Sequence, residues 1–157
     1  MIGSQGVRPG YQAQTVVAMN AISSSLVAAS AAIVLLLGLI HLRYTFHGPM
    51  LLPRDPELKI RMQEVSPVIS RQTTMWKTWV GFNASHACGT ILFGAVYGYL
   101  SLAHSAFLFQ SIFLLSLGLL LLLGYVFLAK RYWFHVPFRG LLLATFLYAL
   151  ALIVNWV

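Results

Sequence analysis

The sequence is poor in charge and poorest in acid. Only 8% of its 157 residues are Asp, Glu, Lys or Arg, against about 25% in a soluble domain. Its three acids, Asp55, Glu57 and Glu64, lie within ten residues of one another. No long apolar run therefore carries a carboxylate. That removes the ligands most metal-dependent membrane enzymes use, and the carboxylates of proton- or sodium-coupled transporters. Cysteine is nearly absent too. Cys88 stands alone, which excludes an intramolecular disulfide and any CxxC redox or metal motif. It falls inside an apolar run and reads as a small helix residue. There is no phosphate-cradling Gly loop and no HxxxH cluster. The N-terminus lacks a Lys/Arg-rich n-region and its apolar run exceeds a signal h-region, so no cleaved signal peptide is expected.

What fills the chain instead is apolar: 59% of residues are hydrophobic. This is membrane-protein composition, with room for about four spans of roughly 20 residues and little besides. The expected fold is all-α: a polytopic membrane protein, a single domain over 1–157, built as a four-transmembrane-helix up-down bundle. Spans are expected at about 16–44, 76–103, 107–129 and 137–157, the last three joined by short links that force antiparallel neighbours. The net charge of +7 would suggest nucleic acid in a soluble protein. Here the basic residues flank apolar spans, so topology and anionic head groups account for them, and no nucleic-acid partner is expected.

The loop at about 45–75 contains Pro49, Pro53, Pro56 and Pro67. Asp55-Pro56-Glu57 supplies an N-cap, a proline at the first helical position and an acid in the first turn. A short amphipathic cytoplasmic helix should follow, with Leu58, Met62 and Val65 as its apolar stripe, Glu57–Arg61 as an i,i+4 pair, and the membrane surface as its resting place. Ser66-Pro67 repeats the start signal, so the next helix is expected to begin near Pro67 and enter the bilayer near Trp76, where Trp76, Lys77 and Trp79 form an interfacial anchor. Arg43, Arg54, Lys59, Arg61, Arg71 and Lys77 lie around this loop, and Lys130, Arg131 and Arg139 around the turn before the last span. Only Arg8 lies on the other side. The positive-inside rule then places both loops in the cytoplasm and both termini outside it, with the bacterial inner membrane as the expected location.

Polar residues inside apolar spans are costly unless partnered, so they mark candidate sites. On a helical wheel Asn83, His86, Thr90, Tyr97 and Ser101 fall within about 60° of one another. Gly81, Ser85 and Gly89 form a small-residue ridge on another face, and Gly94 and Gly98 a second GxxxG, both expected to permit close helix packing. In the first span Asn20, Ser23, Ser30 and His41 share a side within about 80°. His41 and His86 could meet at the cytoplasmic side, in a ligand-binding pocket completed by Asn83 and capped from the loops by Arg71 and His135. Three chemistries compete with plain interhelical hydrogen bonding. His41 and His86 could be axial ligands of a haem b. They could belong to a metal-dependent redox enzyme, although no third ligand is apparent and no metal is expected. Or the polar pocket could take a lipid head group or a lipophilic ligand. Ser85-His86 makes no catalytic pair, since side chains at i and i+1 diverge and no acid is in reach.

Taken together, the run His41-Leu42-x-Tyr44-Thr45-Phe46-x-Gly48, Pro53-Arg54-Asp55, Ser66-Pro67-x-Ile69-x-Arg71 and Trp76-x-x-Trp79-x-Gly81-Phe82-Asn83-x-Ser85-His86-x-x-Gly89 resembles a family of small bacterial four-span membrane proteins. The resemblance covers about the first two-thirds of the chain and is most specific at Gly-Phe-Asn-x-Ser-His. It implies a four-helix membrane protein and hands over no catalytic residues. The expected role is non-enzymatic: an accessory or assembly subunit of a larger membrane complex, or a homo-oligomer, embedded in the lipid bilayer. The short loops and the Leu-rich third span, a docking face, carry that expectation.

Overall fold

The computed structural model describes residues 9–156, with side chains from residue 19 onward. Among them are six helices and no strand: α1 (Pro9–Phe46), α2 (Pro56–Glu64), α3 (Met75–Ala103), α4 (Ser105–Gln110), α5 (Ile112–Tyr132) and α6 (His135–Trp156). Four segments are long and apolar enough to cross a membrane: Met19–Phe46, Met75–Ala103, Ile112–Tyr132 and His135–Trp156. The protein is all-α and an integral membrane protein.

Local chemistry explains where the helices stop and start. After α1, Gly48 takes φ +86°, a left-handed conformation that glycine adopts without strain, and Pro49 follows to prevent continuation. α2 starts as its sequence dictates, with the Glu57 N–H donating to Asp55 Oδ1 at 2.9 Å and Pro56 in the first turn. Its ion pair is not Glu57–Arg61. Arg61 reaches Glu64 instead, at 3.4 Å and well exposed, a contact worth little in water.

The second proline start does not form. Residues 65–74 stay irregular and α3 begins at Met75. The stretch is rich in Ser, Thr and β-branched residues, whose short side chains compete for the backbone. Ser70 Oγ accepts from the Gln72 N–H at 3.1 Å, and the Met75 N–H closes the loop on the Val65 carbonyl at 2.8 Å. Thr74 then caps α3, accepting from the Lys77 N–H at 3.3 Å. The third membrane helix is also later than its hydropathy suggests. Residues 107–110 belong to the six-residue α4, and Ser111 caps a fresh start by accepting from the Leu114 N–H at 3.3 Å.

The described residues divide into two units, one of residues 94–156 with the preceding part of α1, the other of residues 34–93. In the first, parts of all four membrane-length helices pack together. Ser30, fully buried, donates to the Ala144 carbonyl at 2.8 Å and ties α1 to α6. The Tyr97 hydroxyl donates to the Leu114 carbonyl at 2.7 Å, and the Tyr148 hydroxyl to the Leu115 carbonyl at 3.2 Å. Two tyrosines on two helices thus pin the same turn of α5. Gly118 makes this possible: a Cβ there would collide with the Tyr148 hydroxyl and lie 2.7 Å from the Tyr97 ring. Around these bonds Val27, Leu108, Leu122, Leu141 and Ala151 are buried. Asn20 near the start of the first span, α4 and Asn155 at the end of α6 meet at one end of this unit, so its helices alternate in direction.

In the second unit the later part of α1 lies against the first part of α3. Gly38 allows the approach, since a Cβ on it would stand 2.5 Å from Thr90 Oγ1 and 3.0 Å from the Ile91 backbone nitrogen. The loop packs alongside: the Trp79 indole N–H donates to the Leu51 carbonyl at 3.2 Å, and Lys59 sits 5.4 Å from the centre of the Trp76 ring.

Candidate functional site

The unit of residues 34–93 gathers three of the five expected ligand-binding residues. His41 comes from the last turns of the α1 span, Asn83 and His86 from the first turns of α3. His41 Nε2 lies 3.1 Å from Asn83 Oδ1, and the His41 and His86 rings meet edge to face, 5.3 Å between centroids and 86° between planes. All three are half-buried.

The hydrogen bonds fix the chemistry of this cluster. Asn83 Nδ2 donates to the Trp79 carbonyl at 2.8 Å. A carbonyl only accepts, so that side of the amide is its NH2 and the other side its oxygen. Asn83 Oδ1 must then receive a proton from His41, which makes Nε2 the protonated nitrogen of that ring. Asn83 thus bridges α1 to its own helix. Thr45 adds a bond to the His41 carbonyl at 2.9 Å, and Thr90 Oγ1 donates to the Ala87 carbonyl at 2.9 Å. Both ends of the Asn83 amide and both threonine hydroxyls have protein partners, as a low-dielectric setting favours.

Beside Asn83, below Trp76 and Trp79, lies a cavity of about 20 Å³ bordered by Thr45, Gly48 and Leu51. That is room for about one water molecule. The His41 and His86 rings stand edge to face, with His41 Nε2 turned to Asn83 Oδ1. No group of three or more His, Cys, Asp or Glu that could hold a metal occurs among the described residues.

The other expected site residues lie elsewhere. Arg71 is exposed in the loop before α3, and His135 is exposed at the start of α6, in the other unit. The expected packing ridge of α3 is in part turned outward. A Cβ on Gly81 would meet nothing within 4 Å, and Ser85 is exposed, its hydroxyl turned back to the Gly81 carbonyl at 2.8 Å. Gly89 is half-buried, Gly94 is buried, and a Cβ on Gly98 would make ordinary contact with Ala31 at 3.7 Å. The polar face makes the contacts instead: Thr90, Tyr97 and Ser101 are buried. A wheel gives the angle between two faces but not which one meets a neighbour. Gly38 and Gly118 are close-approach glycines, each with no small-xxx-small partner on its helix to signal it. Matched against protein-family models, characterised proteins and solved structures, the chain finds no counterpart.

Proposed function

We propose that this chain is a non-enzymatic accessory or assembly subunit of a larger complex in the bacterial inner membrane, a member of the small four-span family its Trp-x-x-Trp-x-Gly-Phe-Asn-x-Ser-His run resembles. The observation that carries the reading is the commitment of Asn83. Both ends of its amide are bonded within the protein, one to His41 and one to the Trp79 carbonyl. An amide committed at both ends locks helices together and leaves little of itself for a substrate. The outward faces supply what a partner subunit needs. Leu120, Leu123 and Phe127 stand exposed along α5, and Gly81 and Ser85 offer a flat approach on α3. The basic loop lies in the cytoplasm and the termini outside it, on the strength of nine Lys/Arg against one.

Purification in a mild detergent, followed by native mass and absorption spectra, tests the reading. The expected result is co-purification with another membrane protein or as a defined homo-oligomer. A lone monomer would count against it, and a Soret band with bound iron would replace it with the haem alternative at His41 and His86.

A further inference from the structure

In the first unit, beside Asn20 of α1 and the last turn of α6, lies a larger cavity, about 270 Å³, lined by Asn20, Ser105, Ala106, Phe109, Gln110 and Asn155. Three carboxamides and a hydroxyl converge there from three separate parts of the chain. None of the three carboxamides hydrogen-bonds to a described residue, in contrast to Asn83. Among the described residues no charged side chain lines the space. One turn along α1 from Asn20, Ser23 is fully buried with its hydroxyl unpartnered among the described residues, so the polar edge continues inward.

This lining selects a ligand chemistry. Asn20 and Gln110 are exposed and Asn155 half-buried, so the space is an open cleft, and its described lining offers an ionic group no opposite charge. A carboxamide presents an acceptor and two donors side by side, the pattern that neighbouring hydroxyls of a sugar or polyol satisfy, since each hydroxyl both gives and receives. Phe109 adds an apolar wall suited to the C–H face of such a ring. The position, at the ends of membrane-length helices, puts the cavity at head-group level.

We propose that the cavity between Asn20, Gln110 and Asn155 is a binding site for an uncharged, hydroxyl-rich group of the sugar class. A glycolipid head group and a free sugar share this chemistry. The site is separate from the His41 cluster and does not rest on the accessory-subunit reading.

The test uses the full chain in a detergent without a sugar head group, with bound lipid read by native mass spectrometry. The probes are monoglucosyl diacylglycerol, phosphatidylcholine of the same acyl chains, and glucose. The glycolipid should be retained about tenfold over phosphatidylcholine, the scale of discrimination expected where a site's polar groups would otherwise stay unpaired. Gln110→Leu and Asn155→Leu should abolish the preference, and so should the near-isosteric Asn155→Asp, with helix content followed by circular dichroism. Gln63→Leu on α2 should leave it intact. Displacement by free glucose would show that the head group suffices, and its absence would identify the membrane-anchored form as the ligand; either supports the site. Equal retention of both lipids, or a preference unchanged in all three cavity variants, overturns it.

Discussion

Glycines in this protein differ by what stands opposite them. Gly38 faces the Ile91 backbone nitrogen and Thr90 Oγ1, and Gly118 faces two tyrosines held by their own hydrogen bonds. Neither neighbour can yield freely. Gly38→Ala and Gly118→Ala should each lower stability by about 1–3 kcal/mol, the usual cost of overpacking. Gly81→Ala should be neutral or stabilising by up to about 1 kcal/mol, because it adds helix propensity where nothing is in the way. Thermal unfolding of the three variants in one detergent checks the contrast, and a Gly81→Ala loss as large as the others would mean that the outward face is packed. The same scale separates two kinds of amide. Asn83 is spent on holding α1 to α3, whereas Asn20, Gln110 and Asn155 stand at a cavity without hydrogen-bond partners among the described residues. Residue type alone does not distinguish them.

Among the elements, α2 depends most visibly on its start signal, since it buries no residue and nine residues are too few for a stable helix on propensity alone. Asp55→Ala should cost about 1 kcal/mol locally. The readout is faster hydrogen exchange at residues 57–60, with α3 unaffected; unchanged exchange would show that α2 is held by something other than its cap. This helix was legible in the sequence because capping is a code of adjacent residues. So were the four membrane-length helices, from the apolar runs between Arg43, Lys77, Lys130 and Arg131. What was not legible turns either on which of several competing local signals wins or on partners far along the chain. The start at Met75 rather than Pro67 is decided by the Met75–Val65 bond and the Thr74 cap. The break at Ser111 turns on one hydroxyl in a run whose hydropathy continues. The meeting of His41, Asn83 and His86 could be anticipated from their depth, but Gly118 could not be assigned its role without Tyr97 and Tyr148 opposite it.

For the whole molecule, sidedness is the property most open to test. Cysteines placed at Gln63 and Gln72, in the basic loop, should react with a membrane-impermeant maleimide only when the cytoplasmic face is exposed. Labelling from outside intact cells would invert the proposed orientation. The native Cys88 bears on how such work is done. It is exposed, yet it sits near the middle of the Met75–Ala103 span, on the same arc of α3 as Gly81 and Leu92. Facing hydrocarbon at that depth, it lies out of reach of a water-borne reagent, so it should stay silent to the impermeant maleimide and need not be removed. A small lipid-soluble spin or fluorine label should attach there and nowhere else. The chain thus carries one built-in reporter at mid-depth, whose signal would change when another helix comes to rest against that side of α3.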